Sequence, residues 1–164
     1  KLKIIEYKTG VLVGCAWKMG AIIDNNSESY QCKIYEFGKN LGIAFQLQDY
    51  YLDEFGDQNT FGKQVGGDII ENKKNYLYLK ALEFSNAEDQ LQLEHLFGIN
   101  PSDSTQKIEI TKQLFVSSGS AEATQIEIKN YTKKAFSMLE SLSISEEKKS
   151  LLKEFGEQLM NRNV

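Results

Sequence analysis

Apolar residues along this chain recur at three- and four-residue intervals, the spacing of a helix face, and alternating strand-like segments are scarce. The stretch KIIEYKTGVLVGCAWKMGAII (3–23) predicts a helix with a wide apolar face. DNNSES (24–29) follows as a turn rich in N-cap residues. A long helix is predicted from Tyr30 to Phe55, with Ile34, Phe37, Leu41, Phe45, Leu52 and Phe55 on overlapping stripes. Apolar positions on more than one face put that helix at the centre of a bundle. The pattern breaks at GDQNTFGKQVGGD (56–68), which holds four glycines and no apolar periodicity. Helical spacing resumes in NKKNYLYLKALEF (72–84) and in NAEDQLQLEHLFG (86–98), which ends at Gly98. A further helix starts at NPSD (100–103) and ends near SSGS (117–120). EATQIEIKNYTKKAFSMLESL (122–142) and SEEKKSLLKEFGEQLMNR (145–162) complete the set. Ser145 caps the last, with Glu146 and Glu147 at its positive end. Pro101 is the one proline, and no repeat, low-complexity tract or linker interrupts the chain. These features predict an all-α helical bundle.

Composition narrows what such a bundle can do. A chain of 164 residues fits one domain with a real core. A net charge of −4 lacks the broad positive field of a nucleic-acid binder, so no nucleic-acid partner is expected. Cys15 and Cys32 are too few for a disulfide framework and show no metal-ligand spacing, which predicts reduced packing thiols. The uncharged stretch TGVLVGCAW ends at Lys18, far short of a membrane span, and no signal peptide is visible. A soluble, cytoplasmic protein is expected. The chain begins at Lys1 rather than Met, which points to a processed chain or a piece of a longer one. His95, the only histidine, has no Cys or Asp at ligand spacing and is expected at the surface or in packing. Trp17 and most Tyr and Phe residues are expected in the core.

The candidate chemistry sits where the long helix meets the glycine-rich segment. In FQLQDYYLDEFGD (45–57), Asp49 and Asp53 lie four residues apart and so share a helix face. Two close carboxylates repel unless a cation lies between them, and Mg²⁺ is commonly held by one or two carboxylates plus the phosphates of a substrate. Alone, this spacing also fits a solvated helix edge. Lysines nearby change the balance: Lys63 in GKQVGGD, then Lys73 and Lys74, and Lys8 beside Thr9 in YKTG on a separate helix. Acids for Mg²⁺ and lysines for phosphate oxygens are the two halves of a diphosphate site.

These pieces stand in a recognisable order. KTG, then GKNLGIAFQLQDYYLDEFGD, then FGKQVGGDIIENKKNYLYLKALE resembles the C-terminal half of a trans-isoprenyl diphosphate synthase of the polyprenyl synthetase family. That family's second aspartate-rich motif reads F-Q-x-x-D-D-x-x-D, followed by G-D, G-K, G-[SG]-D-I and G-K-K-T. The closing YTKKAFSMLESLSISEEKKSLLKEFGEQLMNR is similar to the family's last helices. The resemblance implies an all-α bundle of the isoprenoid synthase type, present as its C-terminal half over residues 1–164. It implies Mg²⁺-dependent, head-to-tail joining of isopentenyl diphosphate to an allylic diphosphate with release of pyrophosphate. Negative charge then builds on the leaving group, where metals and lysines stabilise it, and a dry apolar cavity shields the allylic cation. Matched residue by residue, Asp49 is the expected Mg²⁺ ligand and Asp53 its supporting acid. Lys8 and Lys63 would hold the allylic diphosphate, Lys73 would support it, Thr9 and Gln46 would line the pocket near the cation, and Phe45 would form its wall. A homodimer is implied for the full-length protein.

Three departures from the pattern matter. Tyr50 stands where the family has its second aspartate; it points about 100° away from the outer pair, so the shared face survives. Asn72 and Asn75 replace the Gly and Thr of G-K-K-T, and Asn tolerates turn geometry. The family's N-terminal half, with the first aspartate-rich motif and the groups that hold isopentenyl diphosphate, has no counterpart here. The acids of EDQLQLEHL and SEEKK fit solvated first turns and do not replace it. A half-bundle is expected to expose apolar faces. The alternative reading is a non-catalytic homologue or partner subunit, for which Tyr50 argues and the retained Asp49, Asp53, Lys8, Lys63 and Gln46 argue against.

Overall fold

Three helices of the computed structural model, which describes residues 2–57 and 65–161, begin where a side chain satisfies an open backbone group. Helix α1 (Leu2–Ile5) passes through a π-helical turn (Glu6–Gly10) into α2 (Val11–Ile23), and α3 spans Glu28–Phe55. Then come α4 (Gly67–Ile70), α5 (Tyr76–Phe84), α6 (Ala87–Leu96), α7 (Thr105–Ser117), α8 (Ser120–Glu140) and α9 (Glu146–Met160). Side-chain oxygens of Asn75, Asn86 and Ser145 accept from the backbone N–H groups of Tyr78, Asp89 and Lys148, so three helices begin at true N-caps. No strand occurs among the described residues, so the all-α expectation holds.

The first helix, the glycine-rich segment and the helix expected from residue 72 differ from expectation, each for a local reason. The first helix contains the π turn. The glycine-rich segment is not all loop, because Gly67–Ile70 closes one helical turn. The helix expected from residue 72 starts at Tyr76: Asn72 has φ 55°, which no helix accommodates, and Asn75 is extended as the cap.

The chain forms two compact units. One takes the residues up to Gln48 and again from Glu127; the other is Asp49–Ile126. In the first, Phe37, Leu41, Ala135 and Leu139 are fully buried, joined by Ile34 and Leu142, and Trp17 packs edge-on to Phe37 at 5.4 Å. Burying each large apolar side chain contributes roughly 1.5–3 kcal/mol. Close helix approach depends on glycine here: a Cβ on Gly42 would lie 3.1 Å from Val13 and 3.2 Å from the Gly10 Cα. In the second unit Ile69, Leu77, Ala81, Leu93 and Phe115 are buried, and Tyr78 packs on Phe97 with ring centres 4.3 Å apart.

Two expectations about side chains need comment. Cys15 and Cys32 are free thiols, as expected, but both are exposed rather than packed. Apolar Ile4, Tyr7, Leu12, Met19, Ile22 and Ile23 are also exposed, leaving an apolar stripe along α1 and α2. His95 lies at the surface. Among the described residues, no helix is long and apolar enough to cross a membrane.

Candidate active site

Lys8 and Thr9 lie in the π-helical turn, a deformation that recurs at functional sites because it re-aims side chains from a helix. Lys8 is exposed and Thr9 half-buried. The glycine contact just described brings Thr9 close to α3, and its hydroxyl donates to the Gln46 Oε1 at 2.9 Å. Phe45, one residue earlier, lines an apolar cavity of about 300 Å³ with Thr9, Val13, Trp17 and Leu159. Four of the residues singled out in the sequence therefore fall in the first unit: Lys8 in the turn, Thr9 and Gln46 in one hydrogen bond, and Phe45 beside Thr9 in a cavity wall.

Asp49 and Asp53 are half-buried, one turn apart near the C-terminal end of α3. The Val-Gly-Gly-Asp turn folds onto Asp53. Gly66 N–H donates to the Asp53 carbonyl at 2.7 Å, closing a group that the helix end leaves open. Asp68 N–H donates to Asp53 Oδ2 at 2.8 Å. Gly66 has φ 81°, and a Cβ there would lie 3.0 Å from Ile108, so only glycine makes this turn without strain. Burial pushes the Asp53 carboxyl above the usual carboxylate range despite the Asp68 N–H.

Asp68 is nearly buried and is held from two sides. Its Oδ2 accepts from Asn75 Nδ2 at 3.1 Å, and its Oδ1 pairs with Lys73 Nζ at 3.1 Å. Lys73 also meets Glu71 at 2.7 Å. Glu71 and then Asp68 hold the Lys73 ammonium well above the usual lysine range. Both substituted asparagines therefore have definite work: Asn75 caps α5 and ties Asp68, and Asn72 adopts the left-handed turn conformation. The buried Lys107 secures that turn, donating to Asn72 Oδ1 at 2.6 Å and to the Ile99 carbonyl at 3.0 Å. Tyr50 is half-buried near Asp68 and Asp49; burial first, then those two charges, push its phenol up, so it is neutral at pH 7 and can donate. Lys63 lies outside the described residues.

Glu54 is the residue that the sequence reading passed over. It is fully buried, and neither carboxyl oxygen has a hydrogen-bond partner among the described residues. Burial, then the charges of Asp53 and Asp68, push its carboxyl up to about 9, against the pull of Lys112. Its oxygen, with those of Asp53 and Asp68, forms a group whose members lie within 4.8 Å of one another. Asp49 is not part of that group. A signal was present: Glu54 follows the buried Leu47 by seven residues, two helical turns on the same face. The donor set is all oxygen, as a hard divalent ion requires, so these residues fit Mg²⁺.

The sequence pattern of the family described as Polyprenyl synthetase matches residues 2–114. The short chain isoprenyl diphosphate synthase of Methanothermobacter thermautotrophicus is 31% identical over 150 residues, covering 92% of this chain and 45% of that protein. The crystal structure of a geranylgeranyl pyrophosphate synthase superposes with a TM-score of 0.89 at 49% identity, over 99% of this chain and 51% of that one. The polyprenyl synthase of Caulobacter crescentus, in complex with calcium and isoprenyl diphosphate, superposes with a TM-score of 0.86 at 28% identity, over 99% of this chain and 49% of that one. The chain spans about half the length of the relatives it matches, the extent expected of the family's C-terminal half. The match over residues 2–114 shows the family: this chain belongs to the polyprenyl synthetase family.

Proposed function

We propose that this chain is the diphosphate-leaving half of a cytoplasmic, Mg²⁺-dependent prenyltransferase that joins isopentenyl diphosphate to an allylic diphosphate. The observation that carries this reading is the fixing of Asp53 by two backbone N–H groups of the Gly66–Asp68 turn. A half-buried carboxylate held beside Asp68 and Glu54 is an arrangement that a divalent cation relieves. Asp49, with Asp53 in support, would hold Mg²⁺, which supplies charge neutralisation for the departing pyrophosphate. Lys8 and Lys63 bind phosphate oxygens of the allylic substrate, and Lys73 keeps Asp68 neutralised and in place. Tyr50, in place of a second aspartate, donates a hydrogen bond where the family has a charge. Thr9 and Gln46 present their oxygens toward the allylic carbon, while Phe45 excludes water. The reaction breaks the allylic carbon–oxygen bond, forms a carbon–carbon bond to isopentenyl diphosphate, and releases a proton and pyrophosphate.

The region of the relatives that this chain does not span would supply the facing aspartate-rich motif and would cover the exposed apolar stripe of α1 and α2. Alone, the chain holds one side of the clamp and is inactive. The intact protein acts as a homodimer. The test is calorimetric titration of pyrophosphate into the intact protein with and without Mg²⁺. Binding should tighten with Mg²⁺ and vanish in Asp49→Ala; metal-independent or absent binding would sink the proposal. Tyr50 favours a second reading, a non-catalytic partner subunit. That reading is supported if the intact protein binds no pyrophosphate yet changes the activity of a co-purifying synthase.

A further inference from the structure

We propose that Lys107 is a positioning residue: acting through Asn72, it fixes the turn that places Asp68 and Lys73 beside Asp53. That these groups serve a diphosphate rests on the prenyltransferase reading. Lys107 lies on α7, 35 residues along the chain from Asn72, and its hydrogen bonds go to none of the acids. Only 3% of it is exposed, and burial pulls its ammonium below the usual lysine range. No carboxylate pairs with it among the described residues to offset that cost. An apolar side chain of similar length would fill the space without it. What the ammonium adds is two charge-assisted hydrogen bonds, to Asn72 Oδ1 at 2.6 Å and to the Ile99 carbonyl at 3.0 Å. It also lies over the Phe97 ring, 6.0 Å from the ring centre.

Asn72 is where a hold is needed. It carries the chain through φ 55°, which glycine takes freely and other residues take at a cost. Its amide is gripped at both ends: Lys107 donates to Oδ1, and Nδ2 donates to Asn100 Oδ1 at 2.7 Å. The residues around it depend on that turn. Lys73 N–H donates to the Asp68 carbonyl at 2.9 Å, and Lys73 Nζ pairs with Asp68 Oδ1 at 3.1 Å. Asp68 in turn gives its own N–H to Asp53 Oδ2 at 2.8 Å. The next residue of α7 presses on the other end of the segment, because Ile108 is what a Cβ on Gly66 would meet at 3.0 Å. Neighbouring residues of α7 therefore hold both ends of the stretch from Gly66 to Asn72. Without the Lys107 bond, Asn72 can leave φ 55°, and Asp68 and Lys73 lose their register with Asp53.

The test is a double-mutant cycle on Lys107→Met and Asn72→Gly in the intact protein. Glycine keeps φ 55° open but offers Lys107 no amide. Hydrogen–deuterium exchange is read by mass spectrometry on peptides covering 65–75, with peptides of α6 as the reference for global opening. Each single variant should raise exchange over 65–75 about fivefold relative to α6, and the double variant no more than either single. The Mg²⁺ concentration for half-maximal pyrophosphate binding should rise about threefold in each single and no further in the double. A lysine that only fills space would act equally in both backgrounds. Unchanged exchange in either single variant, or additive effects in the double, overturns the proposal. So does raised exchange with an unchanged Mg²⁺ requirement. If Lys107→Met does not fold, Asn72→Gly alone decides by the same criterion. A wild type that binds no pyrophosphate removes the prenyltransferase reading, and the exchange cycle still decides whether Lys107 sets the turn.

Discussion

Replacing Glu54 with glutamine preserves the shape of a buried side chain and removes its titration. In the folded protein the Glu54 carboxyl sits at about 9, against an ordinary value of 4.5. A raised carboxyl binds more protons folded than unfolded, so stability is fully present below 4.5 and is lost as pH rises toward 9. Each unit is about 1.4 kcal/mol, so the whole window is worth at most about 6 kcal/mol. Between pH 5.5 and 8 the difference is about 3 kcal/mol, or roughly 6–12 °C in melting temperature. Glu54→Gln does not titrate at this position, so its advantage over wild type should be small at pH 5.5 and large at pH 8. The assay is thermal melting of both proteins across this range in EDTA, so that no cation masks the carboxyl. Parallel pH profiles for the two proteins would refute the reasoning, because they would mean that Glu54 is hydrated or paired in solution.

Three further outcomes are expected. Gly66→Ala forces a side chain into φ 81° and within 3.0 Å of Ile108; it should cost about 1–3 kcal/mol in stability and weaken Mg²⁺-dependent pyrophosphate binding, measured by melting and calorimetry. Gly42→Ala places a methyl 3.1 Å from Val13, so it should lower stability by about 1–3 kcal/mol and, by parting Thr9 from Gln46, lower turnover of the intact enzyme in a pyrophosphate-release assay. Tyr50→Asp adds the missing carboxylate and should reduce the Mg²⁺ concentration for half-maximal pyrophosphate binding on the order of tenfold, about 1.4 kcal/mol; an unchanged requirement would show that Tyr50 carries no metal penalty.

The helical class, the caps and the order of the chemical elements are local properties, and they can be read from the chain. Apolar spacing in α3 and the pairing of Asp49 with Asp53 on one face follow from a period of 3.6 residues, and Ser145 reads as a cap from its own side chain. Asn72 and Asn75 were legible as turn-tolerant replacements: Asn72 takes φ 55°, and Asn75 accepts from the nearby Tyr78 N–H. What the chain alone left hidden depends on what a side chain meets far away in sequence. Spacing from Leu47 hints that Glu54 is buried, but only packing within its own unit leaves both its oxygens unpartnered. Gly10 and Gly42 look like helix weaknesses until the two helices come close enough to let Thr9 reach Gln46. The Gly-Gly-Asp element reads as a loop, yet its backbone N–H groups end up on Asp53. Periodicity and capping act over a few residues and so are written in order along the sequence. Desolvation, close approach and the matching of donors to distant acceptors arise only when the helices pack, and it is packing that decided which acids in this protein are under strain.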